Sequence, residues 1–169
     1  MDEVEHLWAL VEKAWEPLGP ETNQARHALA HRAPTPEEDL YAEQLATVEG
    51  ALEGFLANLS TTARDLPPEE LTALDRTVER LLHDIDRADV HQVTGGSDDG
   101  FLYARGFIVA LGRDFYTAVT RDPRMAVPDA WCERMPYLFA HLHSERFGDF
   151  PDTGSRISRE SFSNPHGWR

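Results

Sequence analysis

Apolar positions recur along this chain at the three- and four-residue spacing of helices that bury one face. Val4, Leu7, Trp8, Val11 and Trp15 form the first such stripe, and Pro17, Gly19 and Pro20 close it. The polar stretch 21–32 predicts a short helix before Ala33-Pro34. Thr35-Pro36-Glu37-Glu38 then carries start signals: a hydroxyl to cap, a proline at the first helical position and acids in the first turn. Leu40, Tyr41, Leu45, Val48, Leu52, Phe55, Leu56 and Leu59 follow on one side, over about six turns. Leu66-Pro67-Pro68-Glu69-Glu70 opens another helix, through Leu71, Leu74, Val78, Leu81, Leu82 and Ile85, which ends before Gly95. Phe101, Ala104, Phe107, Ile108, Leu111, Phe115 and Val119 predict one helix running as far as Asp122-Pro123. Pro128-Asp129 starts a last one, carrying Trp131, Met135, Leu138, Phe139, Leu142 and Phe147 and kinked at Pro136.

Alternating strand patterns are nearly absent, so the expected fold is all-α. It is expected to be a single compact domain of about five or six helices over residues 1–150, followed by an irregular, loop-like C-terminal tail over residues 151–169. From Gly148 onward Gly, Pro, Ser, Asp and Arg dominate, and such a tail is mobile unless it has partners. With Ser155, Ser158, Ser161 and Ser163 set among Arg156 and Arg159, it reads as a mildly basic arm. The acidic half of the chain, or a second subunit of a homo-oligomer, could receive it. A length of 169 residues is enough for one buried core.

Charge sharpens this picture. The net charge is −14, and it is unevenly spread: residues 1–72 carry fifteen acids against four bases, and residues 73–169 fifteen against twelve. The field of the first half repels nucleic acid and anionic membrane and attracts a cationic partner. No apolar run approaches the roughly 18 residues of a membrane span. Cys132 is the only cysteine, and the start Met-Asp-Glu-Val-Glu lacks the basic and apolar regions of a signal peptide, so a cytoplasmic location is expected.

The densest chemistry lies in Gly95-Gly96-Ser97-Asp98-Asp99-Gly100-Phe101. Two glycines stop one element, and Ser97 and Asp98 are suited to cap the next. Adjacent residues on a helix point about 100° apart, so Asp98 and Asp99 are poorly placed to share a proton. A helix N-terminus also favours ionised acids. Either the segment is a cap, or one carboxylate is aimed at a cation, a metal or a partner's arginine. It is not a phosphate loop: the glycine spacing is wrong, no lysine follows, and two acids repel the anion.

This segment, together with Tyr103-Ala104-Arg105-Gly106-Phe107, Gly112-Arg113 and Asp122-Pro123, resembles the bacterial domain-of-unknown-function 4240 family. That family's pattern is a Gly-Gly, a Ser-Asp-Asp-Gly-Phe, an aromatic-Arg pair, an apolar helix with Gly-Arg, and an Asp-Pro. Leu7–Val11 and Leu66–Leu82 also fit its helices. Ala104 departs from the aromatic usual before the arginine, and residues 19–64 and the tail depart too. The resemblance implies a fold and carries no settled activity.

Other constellations are sparser. Arg105 is expected to pair with an acid of the 95–100 loop. His83, Asp86 and His91 share one helix end and are weak metal candidates, because His91 lies more than two turns beyond His83. His141 and His143 face different ways, and Cys132 and Trp131 read as core. No cofactor and no assembled catalytic set follow from these patterns. Two function classes remain. One is a non-enzymatic interaction module, inhibitor- or immunity-like, that binds a basic protein. The other is an enzyme or small-ligand binder using a cleft at residues 95–105, with Ser97, Asp98, Asp99 and Arg105 as its candidate residues.

Overall fold

A computed structural model describes residues 2–169. The described residues form eight α-helices and no strand, so the all-α expectation holds and the count of five or six does not. The helices are α1 (Glu3–Trp15), α2 (Pro20–His31), α3 (Ala42–Ala63), α4 (Pro68–Asp84), α5 (Ala88–Thr94), α6 (Asp98–Ala110), α7 (Arg113–Arg121) and α8 (Leu138–Phe147). None of these helices is long and apolar enough to cross a membrane.

Two predicted helices are each broken in two, and both breaks come from contacts distant in sequence. Between α4 and α5, Arg87 is extended at φ −134°, ψ 143°. The buried Asp86 carboxylate there accepts the backbone N–H groups of Phe162, Ser163 and Asn164 and the indole N–H of Trp168, at 2.7–3.0 Å. The Ala88 N–H donates to the Gly167 carbonyl at 2.8 Å. The tail thus supplies partners that a continuous helix would exclude. Between α6 and α7, Gly112 stands at φ +101°, a region that a side chain disfavours. A Cβ at Gly112 would lie 2.8 Å from the Arg26 guanidinium and 2.9 Å from the Glu12 carboxylate. Arg26 holds this joint by donating to the Leu111 carbonyl at 2.9 Å.

The other boundaries shift less. Thr35 accepts the Glu37 N–H at 3.0 Å, but a short 3-10 turn, Glu38–Leu40, intervenes before α3. The helix expected from Pro128 begins only at Leu138, after an irregular run and a 3-10 turn at Met135–Tyr137. Within that run Trp131 is 53% exposed, against its expected place in the core, whereas Cys132 and Met135 are buried.

Helix α6 is the axis of the molecule. Nine of its thirteen residues are buried, from Phe101 and Leu102 to Val109 and Ala110. A helix that is apolar on nearly every side must be surrounded by others. The Trp15 indole donates to the Ala110 carbonyl at 2.7 Å, and the Tyr116 hydroxyl to the Leu81 carbonyl at 2.7 Å. At Gly106 a Cβ would meet the Cys132 carbonyl at 2.7 Å, so the absent side chain lets the 128–137 segment lie against α6. Around this axis α1 packs on α3 and α4, α2 on α3 and α7, and α4 on α8.

The tail is irregular, and it has the partners that an irregular segment needs to be held. It docks on α4 of its own chain, through Asp75 and Glu79, and on Asp86 in the turn that follows, rather than on the acidic first half. Arg159 is its anchor, 5% exposed.

Candidate functional site

The signature loop is built by glycines and a cap. Gly95 and Gly96 take φ values of +69° and +104°, and a Cβ on Gly96 would approach the Gly100 and Phe101 backbone to 2.9 Å. The His91 ring meets the Gly96 carbonyl at 2.9 Å. Ser97 is the cap of α6: its hydroxyl accepts the Gly100 N–H at 3.2 Å. Asp98 accepts the Asp99 N–H at 2.9 Å. Both carboxylates remain exposed in the first helical turn, where the peptide dipoles favour negative charge.

Arg105 does not pair with an acid of this loop. It is fully buried, stacks 4.7 Å over the Phe101 ring, and donates to the Leu82 carbonyl at 2.8 Å and the Ser161 hydroxyl at 2.9 Å. Burial pushes its guanidinium down to about 10, which Asp86 and Glu160 partly oppose. It is still a cation at neutral pH. Ser161 in turn donates to the Asp98 carbonyl at 2.5 Å. Arg105 is therefore a strut that fastens α4, α6 and the tail together, and it reaches the signature loop only through Ser161.

The other sequence candidates separate. His83 meets the Ser158 carbonyl at 3.0 Å, Asp86 holds the tail's N–H groups, and His91 faces Gly96. Each is occupied with a different backbone group, so the three do not converge on a metal. His141 is exposed and His143 is buried, its ring 2.6 Å from the Asp149 carbonyl.

Of the four candidates, Asp99 lines a groove that Ser97, Asp98 and Arg105 do not. This groove of about 580 Å³ runs along the outer side of α6, between the end of α3 and the start of α8. Its floor is apolar, from Leu102, Leu138 and Leu142. Four carboxylates line it, Asp99, Glu133, Glu145 and Glu160, against the cations Arg64 and Arg134 and the imidazole of His141. Tyr137 donates to Glu160 at 2.5 Å, and desolvation together with that carboxylate raises its phenol above the usual range. The Tyr103 phenol is raised as well, by desolvation and then by the negative charge of Glu133, Asp99 and Glu160. Spacing along the chain does not reveal Glu133, Glu145, Glu160 or Tyr137 as neighbours of Asp99. They come from the irregular run, α8 and the tail, and only tertiary packing collects them.

Among family models, that of DUF4240, described as a protein of unknown function, matches residues 38–142. The match takes in α3 through α7 and the signature loop, and it leaves α1, α2 and the tail outside. No curated protein and no solved structure matches the chain.

Proposed function

The chain belongs to the DUF4240 family, and we propose that it acts there as a non-enzymatic binding module for a basic partner. A cationic side chain of that partner seats in the α6 groove. The observation that carries this reading is the groove's own make-up: four carboxylates against two arginines over an apolar floor, with the signature Asp99 on one wall. An arginine or lysine suits such a site, because its aliphatic stem packs on leucines while its head meets the acids.

The rest of the surface supports the same partner chemistry. Of the fifteen acids in residues 1–72, only Glu3, Glu5, Glu12 and Glu53 meet an arginine at ion-pair distance among the described residues. Glu37, Glu38 and Asp39, all exposed, directly precede Leu40, which is 66% exposed. Carboxylates without local partners steer a basic protein toward the surface over a screening length, while the groove fixes its register.

The test is a titration of the intact chain with an arginine-rich peptide and a glutamate-rich control, followed by amide NMR shifts. Saturable shifts at Leu102, Tyr103 and Leu138 with the first peptide only are expected. Combining Asp99→Asn with Glu160→Gln should remove them. An arginine-rich peptide that fails to saturate at low salt, or that binds the double variant unchanged, overturns the reading.

The groove's volume favours a second reading, because it lies in the range of small-molecule sites. A free guanidinium or amine compound would be the ligand. Agmatine in the same titration decides between them: saturation as tight as that of the peptide favours the small ligand.

A further inference from the structure

A second cluster lies away from the α6 groove, with which it shares no lining residue. His27 and His31 stand four apart on α2, so they project from one face of the helix. Their rings are tilted against each other with centroids 4.1 Å apart. Asp114, in the first turn of α7, brings a carboxylate oxygen to 3.2 Å from the His31 Nε2. One ligand atom from each of the three lies within 4.8 Å of the others, and all three residues are exposed.

We infer that His27, His31 and Asp114 form a site for a divalent transition-metal ion, with Zn²⁺ as its reference occupant. An ion pair explains one imidazole beside Asp114. It gives no reason for a second imidazole held against the first. Two neutral imidazoles and one carboxylate are a borderline-soft donor set, which suits Zn²⁺, Co²⁺, Ni²⁺ or Cu²⁺ and is poor for Mg²⁺ or Ca²⁺. Ligand atoms around a tetrahedral zinc lie about 3.3 Å apart, so closure requires shifts of at most about 1.5 Å by exposed side chains. Three protein ligands leave a fourth position for water.

The backbone beneath the cluster is fixed. Arg26, one residue before His27, donates to both Glu12 oxygens at 2.8 and 2.6 Å and to the Leu111 carbonyl at 2.9 Å. That clamp sets α2 against the α6–α7 joint, and the Gly112 turn starts α7 beside it. His27 and Asp114 both line the cleft of about 480 Å³ between α1, α2 and α7, so the ion would sit on the cleft's rim. Leu29 and Ala30, between the two histidines, are buried, so α2 cannot rotate without exposing them. The site is therefore held by elements that fold for other reasons.

The experiment uses the intact, untagged chain and metal salts alone. Calorimetric titration with Zn²⁺ should give one saturable site per chain, and Co²⁺ should give a visible absorption band of tetrahedral or five-coordinate character. Saturating Zn²⁺ should raise Tm through linkage. His27→Ala, His31→Ala and Asp114→Ala should each weaken Zn²⁺ binding by about tenfold or more, taking the loss of a tuning neighbour as the lower bound. His166→Ala, an exposed histidine elsewhere, should leave binding unchanged. Circular dichroism of each variant, unchanged by a surface substitution, separates a lost ligand from a lost fold. Absence of one-to-one binding, or one-to-one binding that survives the combination of His27→Ala and His31→Ala, overturns the inference.

Discussion

The guanidinium of Arg159 grips the Asp75 carboxylate with two hydrogen bonds, at 2.8 and 3.1 Å, in a place where both side chains are almost wholly removed from water. Its second nitrogen also reaches Glu79 at 2.8 Å, the first reaches the Pro136 carbonyl at 2.6 Å, and the group lies 4.6 Å over the Tyr137 ring. An irregular tail is thus pinned to α4 by a cation that burial would otherwise expel. Desolvation raises the Asp75 carboxyl despite this contact. The Glu79 carboxyl is pushed up by the same desolvation but falls below its usual value, because Ser155, Arg159 and Thr153 all hydrogen-bond to it.

Removing one member of such a buried set leaves the others uncompensated. Arg159→Met is expected to cost about 3–5 kcal/mol of stability, since two carboxylates would remain against the core with no cation. Arg159→Lys should recover part of this, because a point charge cannot make the paired contact. Urea unfolding midpoints measure both. A loss below about 1 kcal/mol for Arg159→Met would mean that the tail does not dock in this way.

Glycines provide a second, paired test. At Gly112 the backbone is left-handed, and an added Cβ meets the Arg26–Glu12 pair, so Gly112→Ala should destabilise by about 1–3 kcal/mol. Gly50 stands inside α3 with nothing within 4 Å of an added Cβ and an ordinary φ. There alanine removes unfolded-state freedom and favours the helix, so Gly50→Ala should stabilise by about 0.5–1 kcal/mol. Opposite shifts in Tm are the expected outcome, and equal shifts would contradict the backbone assigned to one of the two.

These cases also mark what is legible in the sequence. Periodicity locates α1, most of α3, and the apolar faces of α4, α6 and α8, because those helices bury a stripe whose spacing is local, while α2 is read only from the polar stretch between two proline breaks. It does not locate the α4–α5 break, because the cause lies in the N–H groups of residues 162–164, some 76 residues away from Asp86. The Gly112 turn is half visible: glycine stands there, but the Arg26 and Glu12 groups that forbid a side chain come from α1 and α2. Trp131 reads as core from its apolar character, and the chain turns it outward beside the buried Cys132. At the site, Ser97 is legible as a cap and Asp99 as a carboxylate left over. Arg105 defeats the expectation of a loop acid because burial, rather than sequence distance from the loop, selects its partners. His27 and His31 escape a reading of the sequence, because their i, i+4 spacing means nothing until Asp114 comes from a helix packed across them.

The signature loop separates capping from binding. Ser97→Ala removes the hydroxyl that accepts the Gly100 N–H and is expected to cost about 1 kcal/mol. Asp99→Asn leaves the hydrogen bonds of the core intact and costs only its favourable interaction with the helix dipole, about 0.3–1 kcal/mol. Its larger effect is expected on the arginine-rich peptide, whose affinity should fall while the chain's thermal midpoint shifts little. If Asp99→Asn instead lowers stability as much as Ser97→Ala and leaves peptide binding intact, the residue belongs to the cap.

Cys132 gives a prediction about pH. Its thiol is 4% exposed, and burial, the largest influence on it, pushes it up to about 11. In the unfolded chain it would ionise in the ordinary thiol range, about 8.5. Between those two values the native state therefore holds a proton that the unfolded state has released, and stability falls as pH rises. Below that range the term is fully present; by pH 11 about 2–3 kcal/mol of it is gone. The phenols of the buried Tyr116 and the half-buried Tyr137 are raised as well, so they add loss of the same sign at the top of the window. Cys132→Ala isolates the thiol's share: unfolding free energies of the two proteins should converge between pH 8 and pH 11 as the wild-type loses its extra term. The same burial makes the thiol inert, so at pH 8 a disulfide reagent should label it only as fast as the chain opens. Parallel stability curves for the two proteins, or rapid labelling of the folded chain, would show a thiol in contact with water.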